Sequence, residues 1–327
     1  MEEKRRKLSQ IRLESVLPDE LIENTPLINV FTATVIDPKN ISKVILEINQ
    51  LLPIPDLQHL KRMKSRNILL FPVAWIDNST NEEVRNFLQT KNISIQYLNI
   101  EDIKTVSVAA IPPKTKSQYT VINQLWPCNF HSNKYLEQLV ENTIFSSEEL
   151  ETHTKFLRLA MEIRKKSNGN KCGVIVTDPQ RNDLILSGGY SMAEKNPILH
   201  AAMVAIDGVA RTQNGGAYNE YPIDIDWENL LQGDFKGVAV KEKVNNVYEI
   251  DESEYLCTNY NIYMTNEPCT MCAMGLIHSR AKRIFYIYPS QNGALGTTCK
   301  IHAVKDLNHH YEVFKVAAED IDYFQCE

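Results

Sequence analysis

A histidine and a pair of cysteines place the strongest constraint on what this chain of 327 residues can fold into. His200 stands in the segment PILHAAMVAID, and Cys269 and Cys272 stand in NEPCTMCAMGLIHSR. Two cysteines three positions apart at the start of a helix place both sulfur atoms on one face of its first turn. Thiolate sulfur and imidazole nitrogen are the ligands of tetrahedral zinc sites. The pattern predicts a fold that brings the starts of two helices together around a zinc ion.

The cysteine pair taken alone has other interpretations. A thioredoxin-like redox pair follows a first strand near the start of its domain, whereas this pair comes late in the chain. A zinc ribbon needs a second Cys-x-x-Cys pair, and the sequence has none. A lone histidine on an apolar helix is more often a core residue than a ligand. The combination of the histidine with Pro-Cys-x-x-Cys favours a bound Zn2+ over these alternatives.

The composition indicates a globular protein without a membrane span. Apolar residues make up 43% of the chain and charged residues 23%, and no apolar run approaches the ~18 residues that suggest a transmembrane helix. The charged start of the sequence lacks the apolar segment of a secretory signal. The odd count of seven cysteines indicates reduced thiols. We therefore expect a protein of the nucleus and cytoplasm with no membrane partner.

The first part of the sequence predicts a small α+β domain. Residues 1–26 are polar and form an N-terminal extension. Strand and helix patterns then alternate as βαβαβ over residues 27–104, which is the order expected for a ferredoxin-like domain with helices on one face of a sheet. Pro72 interrupts the second strand pattern and indicates an edge strand or a bulge.

Residues 105–145 are predicted to be a linker, because they contain a Pro-Pro pair followed by a polar stretch. Leu125, Trp126 and Phe130 are too apolar to remain in solvent. We therefore expect this linker to dock on the second domain.

The second domain is predicted to cover residues 146–327. Its patterns follow the order α-β-β-α-β-α-β, beginning with a helix at about residue 146 that Ser146 or Ser147 caps. Such an order describes a layered α/β domain. Residues 212–256 are rich in Asn, Asp and Gly and weakly periodic, so they predict a surface insertion.

Several segments together resemble one known family. HAAMVAID and EPCTMCAMGLIHSRAKRIFY are followed by GALG at 293–296 and LNHHYEVFKV at 307–316, and Trp126-Pro127 ends the preceding domain. The chain is similar to the non-catalytic subunit of the eukaryotic heterodimeric tRNA adenosine-34 deaminase, in the cytidine deaminase superfamily. The resemblance implies a cytidine-deaminase-like three-layer α/β/α domain, a catalytic deaminase subunit as partner and tRNA as ligand. It also implies a role in converting the wobble adenosine of the anticodon to inosine.

The sequence departs from the catalytic deaminases at one position. Their signature is His-x-Glu, in which the glutamate moves protons between the zinc-bound water and the base, and Ala202 stands at the position of that glutamate. Glu267 is also carried by catalytic relatives in addition to the helical glutamate, and Glu194 lies six residues before His200 in a loop. We expect neither to substitute, so the chain is predicted to be inactive by itself.

Two other functions stay open on the sequence alone. The chain could be a zinc-stabilised protein-interaction module without a tRNA role, or a self-sufficient nucleoside or nucleobase deaminase with an unrecognised general base.

Two further sets of residues have predicted roles. The net charge of −6 does not indicate nucleic-acid binding, so phosphate contacts would come from a local cluster. The densest internal cluster contributes Lys61, Arg62, Lys64 and Arg66, although a solvated surface is the alternative. Cys326, next to the terminal carboxylate, is predicted as a fourth zinc ligand, and the alternative is a frayed chain end.

Overall fold

The computed structural model describes residues 11–77, 80–166, 172–218, 223–241 and 254–324. The chain divides into two compact units: an N-terminal unit of residues 19–138, and a C-terminal unit of residues 1–18 and 139–327. Within the described ranges, no helix is both long and apolar enough to cross a membrane.

The strands are β1 (Leu13–Ser15), β2 (Leu27–Val35), β3 (Met63–Lys64), β4 (Asn67–Pro72), β5 (Leu98–Ala109), β6 (Gly173–Asp178), β7 (Leu184–Tyr190), β8 (Asn261–Asn266), β9 (Arg283–Tyr288) and β10 (Glu312–Val316). The helices are α1 (Asp19–Ile22), α2 (Ile41–Leu51), α3 (Asn81–Thr90), α4 (Lys116–Leu125), α5 (Lys134–Val140), α6 (Ser147–Lys165), α7 (Ala201–Thr212), α8 (Trp227–Leu230) and α9 (Thr270–His278).

The N-terminal unit is built on an antiparallel sheet with the strand order β3-β4-β2-β5. Along the chain its elements run β2-α2-β3-β4-α3-β5, which is the ferredoxin-like order. The sequence pattern missed β3, because a strand of two residues carries no periodic signal. Pro72 ends β4, and the β2–β4 register shifts between Val30 and Thr32, so the predicted irregularity is present.

Both faces of this sheet are covered. On one face α2 and α3 bury Val44, Ile48, Val84 and Leu88 against the strands. On the other face α4 and the segment after it pack Ile122, Trp126 and Cys128 against Val30, Leu69 and Val108.

The prediction that residues 105–145 form a linker docked on the second domain is therefore wrong for most of that segment. Its first five residues complete β5, and α4 covers the sheet of its own unit. Trp126 is 2% exposed, and its indole N–H donates to the Lys61 carbonyl at 2.7 Å. The physical reason is that the second sheet face carries apolar side chains that need a cover.

The C-terminal unit contains a six-stranded sheet with the order β1-β10-β9-β8-β6-β7. Strands β8, β9 and β10 are mutually parallel, whereas β1, next to β10, and β6, next to β8, are antiparallel to their neighbours. Helix α6 packs on one face of the sheet, and α7 and α9 pack on the other. This is the predicted three-layer α/β/α arrangement.

The N-terminal extension was predicted to be polar throughout, but part of it forms a strand and contributes to the core. Leu13–Ser15 forms β1 at the edge of the large sheet, and Leu13 and Ile11 are buried in its core. A strand of three residues is too short for a periodic signal, and its partner β10 lies near the other end of the sequence.

The predicted insertion at 212–256 is joined at its ends. Gln213 and Leu256 exchange two hydrogen bonds of 2.9 Å, from the Gln213 amide to the Leu256 carbonyl and from the Leu256 N–H to the Gln213 side-chain oxygen. Residues 239–241 run along the edge of β7 through hydrogen bonds to Ile185. The two ends of the segment between α7 and β8 are thus held together by hydrogen bonds.

Candidate metal centre

His200 and Cys269 hold equivalent positions at the starts of α7 and α9. Each is the N-cap residue of its helix, and neither side chain makes the hydrogen bond that usually caps a helix. Both side chains are therefore available for another partner. Cys272 lies one turn into α9 and is buried, with 3% of its surface exposed.

The three side chains converge on one point. The donor atoms of His200, Cys269 and Cys272 all lie within 4.8 Å of one another, and Cys269 Sγ is 3.5 Å from His200 Nδ1. Nitrogen and sulfur ligand atoms of a tetrahedral zinc site lie roughly 3.5–3.8 Å apart, as follows from Zn–N and Zn–S bonds of about 2.0 and 2.3 Å. The donor set and its spacing fit a zinc ion.

Small side chains allow the two helices to approach each other at this site. Ala201, Ala202 and Ala205 of α7 and Ala273 of α9 are buried in one cluster. Gly275 faces Met203, and a Cβ at this glycine would lie 2.8 Å from the Met203 sulfur. The close packing of α7 against α9 is what brings the histidine to the cysteines.

Burial disfavours the thiolate form of Cys272 in the absence of a cation. The pKa of the Cys272 thiol is raised far above its ordinary value, first by burial and then by the neighbouring Cys269. Two thiolates this close together are unfavourable in a buried site unless a positive charge compensates them. A divalent ion at the centre of the cluster would provide that charge.

A cavity of about 350 Å3 opens beside the cluster. Ala202 contributes only a methyl group to its wall and is 1% exposed. Besides His200 and Glu267, the polar part of the wall comes from Ser191, Asn266, Ser290, Gln291 and Asn292.

The two glutamates considered from the sequence differ in their position relative to the cavity. Glu267 borders the cavity, but its carboxylate accepts hydrogen bonds from the backbone of Ser290, Leu295 and Thr297. Glu194 is exposed and is not part of the cavity wall. Among the described residues, no other carboxylate lines the cavity, and the prediction that the chain is inactive by itself stays a prediction.

The basic cluster of the N-terminal unit divides into residues with different roles. The prediction that Arg62 contacts phosphate is wrong. Its guanidinium donates to the carbonyls of Leu52 and Leu70 at 2.9 and 3.0 Å. Burial also lowers the pKa of Arg62 to about 10. Arg62 therefore stabilises the interior and is not available to a phosphate.

The other three basic residues lie at the surface of the same hairpin. Lys64 is half-buried, and its ammonium donates to the carbonyls of Gln124 and Leu125 at the end of α4. Arg66 is exposed and donates to the Ile36 carbonyl, and Lys61 is exposed. A phosphate contact by these three residues stays a prediction.

Cys326 lies outside the described residues. The last described residue, Phe324, is buried in the cluster beneath α6, whereas Cys269 and Cys272 belong to the cluster on the other face of the sheet. The role of Cys326 as a fourth ligand stays a prediction.

Two family models match the chain. The cytidine and deoxycytidylate deaminase zinc-binding region matches residues 150–288, and the N-terminal domain of tRNA-specific adenosine deaminase TAD3 matches residues 28–126. The probable inactive tRNA-specific adenosine deaminase-like protein 3 of Homo sapiens is 31% identical over 326 residues, which cover 93% of this chain and 89% of that protein. The chain belongs to the tRNA-specific adenosine deaminase-like protein 3 family.

Other members of the adenosine deaminase-like protein 3 family match over a similar length. The Danio rerio protein, also named as probable inactive, is 30% identical, with 92% of this chain and 90% of that protein covered. The tRNA-specific adenosine deaminase subunit TAD3 of Saccharomyces cerevisiae is 25% identical, with 93% and 89% covered. Among solved structures, dCMP deaminase from the cyanophage S-TIM5 aligns with a TM-score of 0.31 and 17% identity over 53% of this chain and all of that chain.

In this member of the adenosine deaminase-like protein 3 family, sequence reasoning missed two features of the site. Cys172 places a third thiol in the cavity wall, and burial raises its pKa. Gly293 lies against Glu267, and a Cβ at this glycine would lie 2.1 Å from the carboxylate carbon. The GALG segment carried a family signal, but only the folded chain places its first glycine on Glu267.

Proposed function

We propose that this chain is the non-catalytic, zinc-binding and tRNA-binding subunit of a heterodimeric deaminase that converts the wobble adenosine of tRNA to inosine. The observation that carries the proposal is the complete His200, Cys269 and Cys272 cluster beside Ala202. The metal ligands are kept, whereas the side chain that moves protons in the catalytic members is replaced by a methyl group.

Zinc in this proposal has a structural role. When bound, it would compensate the charge of the two thiolates and hold the first turns of α7 and α9 together. His200 and the two cysteines hold the ion, and the rest of the chain uses the resulting rigid surface. The zinc-binding family match over residues 150–288 supports the presence of the metal.

The surface around the cluster supports the presence of a partner subunit. Ile198, two residues before the histidine ligand, is 55% exposed, and Met271, between the two cysteines, is 39% exposed. Both residues are close in sequence to members of the cluster, and large exposed apolar side chains are typical of protein–protein contacts. We propose that the catalytic subunit, which supplies the glutamate, covers this surface. The Saccharomyces cerevisiae and Schizosaccharomyces pombe relatives are each named as a subunit of a tRNA-specific adenosine deaminase.

The N-terminal unit is proposed to bind tRNA away from the anticodon, through Lys61, Lys64 and Arg66. A deaminase pocket reaches one extruded base and its neighbours, so affinity for a whole tRNA needs a remote positive surface. The match of residues 28–126 to the TAD3 N-terminal domain supports a dedicated role for this unit. The proposed location is the nucleus and cytoplasm.

Co-expression with a catalytic deaminase subunit tests the proposal. We expect the two chains to co-purify and to form inosine at position 34 of tRNA, and we expect this chain alone to form none. Inosine formation by this chain alone would contradict the non-catalytic assignment. A partner complex that forms but neither binds nor edits tRNA would favour the interaction module without a tRNA role.

A further inference from the structure

We propose that Glu267 is a positioning residue for the zinc site: its carboxylate folds the loop of residues 290–297 against the segment that carries Cys269. The inference rests on the proposed zinc ion, but it concerns side chains that the metal itself does not touch. It explains why a glutamate precedes the Pro-Cys-x-x-Cys motif in a chain that performs no proton transfer.

The first observation is the number of donors around this carboxylate. One oxygen of Glu267 accepts from the N–H groups of Leu295 and Thr297 at 2.8 and 3.0 Å. The other accepts from the N–H of Ser290 at 3.2 Å and from the Thr297 hydroxyl. Four donors of one loop thus end on a side chain that is 3% exposed. Buried backbone N–H groups need an acceptor, and Glu267 is the acceptor of three in this loop.

The second observation is that the loop backbone approaches the carboxylate so closely that it requires a glycine. Gly293 lies so close that an added Cβ would come within 2.1 Å of the Glu267 carboxylate carbon. The N–H of Gly293 donates to the Ser290 carbonyl at 2.8 Å, which keeps the turn tight. No side chain larger than hydrogen fits at this position while the loop and the carboxylate stay in place.

The third observation links the loop to the metal ligand. Gly293 pairs with Cys269 in an isolated antiparallel bridge, and the N–H of Ala294 donates to the Pro268 carbonyl at 2.9 Å. On the other side, the N–H of Glu267 donates to the Tyr288 carbonyl at 2.8 Å, which ties it to the end of β9. The backbone of Cys269 is therefore held between the loop and the sheet, and Glu267 holds the loop.

Glutamine at this position is the sharpest test because it keeps the volume and changes the hydrogen bonding. A carboxylate offers only acceptors, whereas an amide offers one oxygen and one NH2 group. Each carboxylate oxygen faces at least one backbone N–H, so either orientation of the amide places two donors against each other. Loss of such an orienting contact around a metal site typically lowers metal affinity by about 10- to 100-fold.

The experiment measures zinc affinity of the full-length chain by competition with a chelator, for wild type and Glu267→Gln. Glu148→Gln, the same change at an exposed position of α6, is the matched control. We expect Glu267→Gln to lose about 10- to 100-fold in zinc affinity and the control to equal wild type. Cobalt(II) bound in place of zinc gives a second readout, and we expect its thiolate charge-transfer absorption to change in Glu267→Gln but not in Glu148→Gln.

Thr297→Val keeps the proposal testable if Glu267→Gln does not fold. This variant removes one hydroxyl donor and leaves the three N–H bonds, so we expect a smaller loss of zinc affinity with the fold intact. Wild-type zinc affinity and an unchanged cobalt spectrum in Glu267→Gln, or in Thr297→Val if only that variant folds, would overturn the inference. A wild-type chain that binds no zinc would instead refute the proposed metal itself, so the two failures can be told apart.

Discussion

At residue 202 a methyl group lies in the wall of a cavity that is bordered by His200, Cys269 and Cys272. The position of these three donors depends on the packing of two helices, whereas the proton-transfer group of the catalytic deaminases is a single glutamate side chain. Ala202 fits closely among the alanines between α7 and α9. Another buried residue, His153, lies on the opposite face of the sheet, and we expect its protonation to make stability depend on pH.

His153 is expected to destabilise the C-terminal unit as the pH falls. Burial, and to a smaller extent Arg283, lowers the pKa of His153 from 6.5 to about 4, with Glu149 acting in the opposite direction. The unfolded chain therefore takes up a proton below about pH 6.5 that the folded chain refuses until about pH 4, so stability is lost across this interval. A shift of this size corresponds to at most roughly 3 kcal/mol.

Denaturant unfolding of wild type and His153→Phe at about pH 7 and about pH 5 checks this expectation. The phenylalanine ring can keep the stacking on Phe285 but loses the hydrogen bond to Tyr263, so the variant is less stable at neutral pH. Its unfolding free energy should depend less on pH than that of wild type, and the exposed-site variant His131→Gln should behave as wild type. An unchanged pH dependence in His153→Phe would contradict the account.

The predicted role of Cys326 is tested by Cys326→Ser and by a chain that ends at Phe324. Phe324 is retained because it is buried, so the truncation leaves the core in place. If Cys326 is the fourth ligand, both changes lower zinc affinity, since a thiolate is lost from the coordination sphere. Equal zinc affinity in all three chains would show that the tail is not a ligand. A loss confined to the truncated chain would assign the ligand to another group among residues 325–327.

At the scale of elements, the hairpin of β3 and β4 carries basic residues with two different roles: one stabilises the interior and the others are exposed. Arg62 reaches inward to the Leu52 and Leu70 carbonyls, whereas Lys61 and Arg66 are exposed. Trp126 fixes the start of this hairpin through the Lys61 carbonyl. The hairpin therefore combines a buried anchor with an exposed basic edge.

Arg62→Met and the double variant Lys61→Glu, Arg66→Glu should distinguish the effect on stability from the effect on tRNA binding. Arg62→Met leaves two carbonyls without their donor, and we expect a loss of about 1–3 kcal/mol in stability with unchanged tRNA affinity of the folded chain. The double reversal should leave stability nearly unchanged, weaken tRNA binding and flatten its salt dependence by roughly 0.7–0.9 per lost phosphate contact. An unchanged salt slope in the double variant would refute the proposed phosphate contacts.

Local sequence signals predicted most elements, and contacts between distant residues account for what they missed. The start of α6 was predictable because Ser146 and Glu149 form a capping box within four residues. The helix starts at His200 and Cys269 were predictable from the motif. Strand β1 was missed because its pairing partner is distant in sequence, and the cover of the N-terminal sheet by α4 depends on tertiary packing. The inward direction of Arg62 has no signal in a run of basic residues.

At the scale of the whole molecule, the two units have separate cores and separate proposed tasks. The C-terminal unit carries the His200, Cys269 and Cys272 cluster, and the N-terminal unit carries the basic hairpin. In the proposed heterodimer, activity depends on the glutamate of the catalytic subunit, because this chain has Ala202 at the equivalent position. The binding of tRNA and the formation of inosine can then be measured separately in the same heterodimer.

The most direct test is inosine formation by the heterodimer when the catalytic subunit's own His-x-Glu glutamate is replaced by alanine. Because this chain has Ala202 beside its metal ligands, the account predicts that such a complex still assembles and binds tRNA but forms no inosine at position 34. The heterodimer with an unchanged catalytic subunit, prepared in parallel, should edit the same tRNA. Inosine formed by the glutamate-less complex at a rate above that of tRNA alone would contradict the account, because the chemistry would then have to come from this chain.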